Sequence, residues 1–300
     1  MFEFNIKDVK EDRKLIICLR KIFSKKREET FILPKKGESV ILLFSGGLDS
    51  VALFNYLCSV YEAIVYPIYV RSNLFDNAQF KSAKFFVNFF KRKYKKLVKD
   101  LTVVNQSFNF SFSSLTNLNR KFIKLLLNNL VKLNNSDEYL PIIISNPARL
   151  GFYGFIAYEY LLKIRYHNNA SIKTILVGIV PEDRILRESN ISVLLSINLT
   201  FCEILNDYSI QFYAPIDKKV NFFLQKEVLV KKAIQDCVPL YKSFSCVKNV
   251  WFHCGKCFNC LSRKKIFSIL NYNDKTYYLS NSRFYNKTIK LLRCILKKNH

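Results

Sequence analysis

The sequence predicts a parallel α/β fold with a small cysteine-rich C-terminal segment, and three observations lead there. The run Val40-Ile41-Leu42-Leu43-Phe44 is continuously apolar, as a strand buried on both faces of a parallel sheet must be. A glycine turn then leads straight into helical spacing at Leu53, Phe54, Leu57 and Val60, and the strand-then-helix order recurs downstream. Finally, four of the nine cysteines fall between residues 246 and 260, which marks a separate, metal-type knuckle.

Length and composition bound the rest. A chain of 300 residues, half of them hydrophobic, can bury a real core, so wholesale disorder is excluded. No apolar run reaches the ~18–20 residues of a bilayer-spanning helix, so a polytopic membrane protein is excluded and no membrane partner is expected. The start, Met1 to Asp8, lacks the basic and apolar regions of a secretory leader, and the expected location is cytoplasmic. The net charge of +25 suits a polyanion such as RNA. The lysines are scattered, however, and Lys, Asn, Ile, Phe and Tyr are abundant together, which favours a compositional origin over a dedicated nucleic-acid surface.

Residues 1–37 read as a charged N-terminal extension with one amphipathic stretch from Leu15 to Phe23. A nucleotide-binding domain is expected over 38–240. Its strands are placed at Val40 to Phe44, Ile64 to Val70, Leu101 to Val104 and Thr174 to Gly178, with helices at Ser50 to Tyr61, Ala78 to Tyr94 and Phe152 to Ile164. Further patterns suggest a helix from Lys121 to Leu133, an apolar run from Leu140 to Ile144 and a helix from Glu227 to Asp236. An insertion is expected at about 105–135, and 241–300 forms the metal segment with a basic tail. No internal repeat is present.

The informative turn is Ser45-Gly46-Gly47-Leu48-Asp49-Ser50. Two glycines let the backbone turn tightly, and the N-terminus of the following helix offers unpaired N–H groups and positive dipole to an anion. Ser45 and Ser50 add hydroxyl donors, while Asp49 can hold Mg²⁺ against phosphates. Phe44, Ser45, Gly46, Gly47, Leu48, Asp49, Ser50 and Val51 are therefore the candidate nucleotide-binding residues. Neither the Walker ending nor the dinucleotide G-x-G-x-x-G is present. The plain alternative is an ordinary glycine turn capped by Ser or Asp.

The cysteines follow Cys246-x₇-Cys254-x₂-Cys257-x₂-Cys260, so four thiolates can converge tetrahedrally. A structural Zn²⁺ held by Cys246, Cys254, Cys257 and Cys260 is the favoured reading, and an iron–sulfur cluster is the competitor. His253 reads as a neighbour. Cys18, Cys58, Cys202, Cys237 and Cys294 read as small hydrophobes.

The Ser-Gly-Gly-x-Asp-Ser string resembles the signature of the PP-loop ATP pyrophosphatases, an α/β group of HUP or Rossmann-like fold. Together with the late Ser-Cys-x₇-Cys-Gly-x-Cys-x₂-Cys pattern it is similar to the 7-cyano-7-deazaguanine synthase family (QueC). Pro147-Ala148-Arg149, Gly178 to Asp183, Ala214-Pro215-Ile216 with Lys226 to Ala233, and Arg263 also resemble elements of that family, over roughly residues 39–268. Two family elements are absent: Tyr69-Val70-Arg71-Ser72-Asn73 and Arg184 to Asn190 stand where substrate-lining stretches would be. The resemblance implies an AMP- and pyrophosphate-forming carbon–nitrogen ligase of queuosine-type deazapurine biosynthesis. Its substrates would be ATP with Mg²⁺, ammonia and the small-molecule carboxylate 7-carboxy-7-deazaguanine, which becomes a nitrile. By the same resemblance Asp49, Ser50, Arg149 and Asp183 are the candidate catalytic residues, and a homodimer is suggested. The missing stretches leave a second reading open, adenylation of another acceptor such as a tRNA base or a protein carboxylate.

Overall fold

The computed structural model describes residues 12–71, 77–105, 149–168, 171–183, 190–247 and 251–281. Helix α1, Arg13–Arg27, precedes β1, Ser39–Leu43, which turns through the glycine loop into α2, Leu48–Ser59. There follow β2 (Ile64–Arg71), α3 (Asn77–Tyr94) and β3 (Thr102–Asn105). The second half runs α4 (Arg149–Asn168), β4 (Thr174–Val177), α5 (Ile191–Leu205) and β5 (Gln211–Tyr213). A two-stranded hairpin, β6 (Ile216–Asp217) and β7 (Phe222–Phe223), leads to α6 (Lys226–Gln235) and finally α7 (Phe258–Ile269).

The sheet is parallel throughout in the order β3-β2-β1-β4-β5. The chain starts in the middle, winds outward to β3, then crosses back to the other side of β1. The order reverses between β1 and β4, and in open α/β sheets ligands bind outside the C-terminal ends of the strands at such a point. β1 registers Leu43 against Ile68 of β2 and Val177 of β4, so β4 ends level with β1 at the glycine loop, while β2 runs three residues past it to Arg71. Val40, Ile41 and Leu42 are wholly buried, as an all-apolar central strand should be. Beneath the loop, Phe44 meets Phe54 edge-on at 5.1 Å, and Phe54 packs on Phe90 at 4.7 Å, joining β1, α2 and α3 in one aromatic stack.

The amphipathic stretch from Leu15 to Phe23 lies on α1, which Asp12 caps by accepting the Leu15 amide. Ile16, Leu19 and Phe23 are buried in the same core as the sheet, and Arg20 pairs with the buried Asp217. Residues 13–27 are thus packed against the core. The sequence reading did not place α5, β5, the β6–β7 hairpin or α7, and the first two show why. Helix α5, ISVLLSINLTFCEIL, is apolar nearly all round, so its period is hard to read; it ends at Asn206 in the left-handed region (φ 51°). Strand β5 has only three residues, too few for a pattern. The expected elements at 121–133 and 140–144, most of the insertion and the tail beyond 281 lie outside the described residues. No helix among the described residues is long and apolar enough to cross a membrane.

Because Phe23 is fully buried, Phe23→Ala should lower unfolding free energy by about 3–5 kcal/mol. Leu15→Ala, on the exposed face of the same helix, should stay within about 0.5 kcal/mol. Chemical denaturation of both variants checks the contrast.

Candidate nucleotide and metal site

The glycine loop is shaped by contacts on every side. Gly46 sits at φ +73°, and a Cβ there would come within 2.6 Å of the Ala83 backbone nitrogen, so only glycine fits between β1 and α3. The Gly46 carbonyl accepts from the Ser82 hydroxyl (2.7 Å) and from the Phe244 amide (3.1 Å). Across the switch point, a Cβ on Gly178 would come within 2.9 Å of the Ser50 Cα, so β4 also presses on the loop. Within it, Ser45 and Ser50 hydroxyls lie 3.1 Å apart, and Ser50 donates to the Gly47 carbonyl (3.1 Å).

Gly47 is the N-cap of α2 and offers no side chain to the helix's first amides. That end opens into a cleft lined by the loop, by Gln79 of α3, by Lys226 of α6 and by the segment around Ser245. Asp49 points one carboxylate oxygen, Oδ2, at the Lys226 ammonium (3.1 Å). Its other oxygen, Oδ1, is buried and has no hydrogen-bond partner among the described residues. A buried carboxylate oxygen without a donor is costly unless a cation or ligand completes it, which is what an Mg²⁺-bearing phosphate supplies. Lys226 is nearly buried at the first position of α6 and also donates to Ser262 (3.0 Å).

The four cysteine sulfurs, all buried, lie within 4.8 Å of one another. Cys246 and Cys257 are 3.9 Å apart, as are Cys254 and Cys260. Backbone amides of Lys256 and Cys257 point at the Cys254 sulfur (3.4 and 3.2 Å), and the Cys254 amide at that of Cys246 (3.4 Å). The sulfurs compete for protons. Hydrogen bonds from Cys246 and Cys260 hold the Cys257 thiol far below its ordinary range, while the bond to Cys257 pushes Cys246 up to about 11, and bonds to Cys246 and Cys257 push Cys260 higher still. A bound cation removes that conflict by drawing all four to thiolates. The residues present therefore fit a metal.

His253 accepts the Ser245 amide through Nε2 (3.3 Å). Burial first, and then the Arg263 charge, depress its pKa to about 4, so the ring is neutral and free to accept. Arg263, 1% exposed, anchors the segment from beneath. It donates to Ser243 (2.7 Å), the Leu240 carbonyl (2.8 Å) and Thr276 (2.8 Å), and pairs with Asp274.

Of the predicted nucleotide-binding residues, Ser45, Gly47, Leu48, Asp49 and Ser50 line the cleft, whereas Phe44, Gly46 and Val51 do not; the four cysteines lie outside it, but their segment reaches it through Phe244, Ser245 and Asn259. Arg149 opens α4 and Asp183 ends a short turn after β4; the side chains of both, with Pro147, Ala148 and residues 184–189, lie outside the described residues. Sequence reasoning missed Lys226, Gln79 and Ser245 as parts of the cleft. Lys226 could have been flagged as a lysine opening an otherwise amphipathic helix, whereas nothing local marks Gln79.

These features define a class: a parallel α/β protein whose switch-point turn has the PP-loop pattern and abuts a four-cysteine centre. No family model and no curated protein matches the chain. Solved structures with similarity include a U34-tRNA thiolase, NcsA, from Methanococcus maripaludis with its 4Fe–4S cluster, at 14% identity over 85% of this chain and 72% of that one, TM-score 0.36. Others are a predicted tRNA methyltransferase subunit from Methanocaldococcus jannaschii (14%, 71% and 94%, TM-score 0.32) and an NH3-dependent NAD synthetase from Campylobacter jejuni (13%, 76% and 85%, TM-score 0.29).

Two glycines separate strain from steric contact. Gly37 also has positive φ but open space around it, so Gly37→Ala should cost about 1 kcal/mol. Gly46→Ala adds a backbone collision and should cost clearly more, as measured by the shift in denaturant midpoint.

Proposed function

We propose that the chain is an ATP-consuming ligase of the PP-loop type, which adenylates a carboxylate and passes it to ammonia. The observation that carries this reading is the glycine-capped α2 N-terminus facing a cleft with the half-satisfied Asp49 and the buried Lys226 beside it. That set offers N–H donors, a cation anchor and a fixed positive charge to one polyphosphate.

The chemistry follows from what a carboxylate lacks. Its oxide is too poor a leaving group for direct attack by ammonia at neutral pH. A carboxylate oxygen therefore attacks the α phosphorus, the bond from that phosphorus to the oxygen bridging the β phosphorus breaks, and pyrophosphate departs. Ammonia next attacks the acyl carbon, the C–O bond to AMP breaks, and a proton passes to solvent. The loop amides with Ser45 and Ser50 hold the departing pyrophosphate, and Lys226 neutralises charge that builds on it. Asp49 would anchor Mg²⁺, which when bound shields the phosphates. Arg149 and Asp183 are assigned to the acceptor side, where an Arg fork suits a carboxylate.

In its finer form the acceptor is 7-carboxy-7-deazaguanine, and a second ATP activates the amide for dehydration to the nitrile. Supporting it are the motif order and the spacing of the cysteine segment. A macromolecular acceptor is the second reading, favoured by Trp251, Phe252 and Tyr277, exposed beside the cysteine centre with Lys81 over the Trp251 ring (5.7 Å).

We assign the metal as Zn²⁺. With Zn–S bonds of ~2.3 Å, a tetrahedron of thiolates has edges of ~3.8 Å. The 3.9 Å pairs match a single ion, whereas a cubane sets its thiolates around four irons and farther apart. Metal analysis should find one zinc per chain and no iron, and Cys257→Ser should lose it.

With ATP, Mg²⁺, ammonium and the carboxy-deazaguanine, the purified chain should form AMP, pyrophosphate and a nitrile. Lys226→Ala and Asp49→Ala should each slow AMP formation roughly 10²–10³-fold. ADP as the product would overturn the reading. AMP formed only with tRNA, bound in a salt-sensitive way, would transfer it to the macromolecular acceptor.

A further inference from the structure

The cysteine segment does more than close the C-terminal region, because one of its residues reaches into the nucleotide cleft. Ser245, next to the ligand Cys246, accepts the Leu48 amide on its Oγ at 3.0 Å. Leu48 is the first residue of α2, so this amide is one of the donors an anion at the helix N-terminus would take. The hydroxyl thereby stands where the anion is expected. A hydroxyl that accepts one bond still has a proton to give. Among the described residues no acceptor takes it, and Ser245 lines the cleft together with Asp49 and Asn259.

The backbone around that hydroxyl is fixed on three sides. The Ser245 amide donates to His253 (3.3 Å), its carbonyl accepts from the Asn259 side chain (3.0 Å), and the preceding Phe244 amide is bonded to Gly46 (3.1 Å). His253 adjoins Cys254, and Asn259 lies between Cys257 and Cys260, so all but one of these ties run into the metal knuckle. A hydroxyl held this firmly loses little rotamer freedom when it meets a ligand.

We propose that Ser245 is a phosphate-binding residue of the nucleotide cleft, contributed by the cysteine segment instead of the glycine loop. It relays the helix dipole: the Leu48 N–H polarises Oγ, and the Oγ–H donates to a phosphate oxygen. Metal and nucleotide sites are then joined by adjacent residues, Ser245 and Cys246, and the cleft is complete only when the knuckle is folded. The proposal rests on the nucleotide reading above.

The test compares wild type, Ser245→Ala and Ser245→Thr for metal content, thermal unfolding and calorimetric affinity for ATP with Mg²⁺. Ser245→Ala should keep its metal and its unfolding temperature but weaken ATP binding roughly ten- to hundredfold, the loss of one bond to a charged group. Ser245→Thr should restore most of the affinity. Equal or tighter binding by Ser245→Ala would overturn the proposal, because the hydroxyl would then only block the Leu48 amide. Loss of metal in that variant, or equal weakening in both variants, would overturn it too, by making the residue structural. Wild type that binds no ATP would bring down the nucleotide reading itself, a result distinct from any of these.

Discussion

Everything near the cleft depends on one peptide, the carbonyl of Gly46. It accepts from Ser82 of α3 and from Phe244 of the cysteine segment at once, so sheet, helix and metal knuckle meet on a single oxygen. The meeting is feasible only because residue 46 has no side chain: the Ala83 nitrogen occupies the space where a Cβ would stand. Just beyond Gly46 the Gly47 amide donates to Ser45 Oγ (3.2 Å) and the Leu48 amide to Ser245 Oγ (3.0 Å), so two hydroxyls stand at the amides that open α2.

Charge is distributed to the same end. The cleft has a negative oxygen, Asp49 Oδ1, that no donor among the described residues reaches, on the carboxylate that pairs with the Lys226 ammonium, which Ser262 also accepts from. Such an arrangement is poor as a device for stability, since a half-satisfied buried carboxylate costs free energy. It suits a site that a cation and a polyphosphate complete together. Arg263 shows the contrasting case: its charge is fully enclosed, its donors all find oxygen acceptors, and its work is to hold the cysteine segment at the right height against the loop.

How much of this the sequence shows depends on how local each signal is. The central strand, the glycine turn and α2 were legible because a run of five apolar residues, two glycines and a 3.6 period lie within twenty positions. The cysteine spacing was legible for the same reason. Helix α5 was not, because it has apolar residues such as Ile204 and Leu205 on its exposed side as well, which blurs the period, and β5 is too short to have any. Gln79, Lys226 and Ser245 come to the cleft from α3, α6 and the C-terminal segment, separated by up to 166 positions, and only tertiary packing places them together. The amphipathic stretch of α1 was visible, but the contact of Phe23 with Tyr208 and the ion pair of Arg20 with Asp217 are long-range and had no sequence mark.

The central claim is that the β1–α2 turn grips a triphosphate so that the bond beside the α phosphorus breaks. A crystal structure of the full chain with an ATP analogue whose α,β bridge is methylene tests it most directly. The account places the β and γ phosphates on the amides of residues 47–50, with the α phosphorus facing the open side of the cleft. A nucleotide seated elsewhere, or a turn in direct contact only with protein, would contradict it.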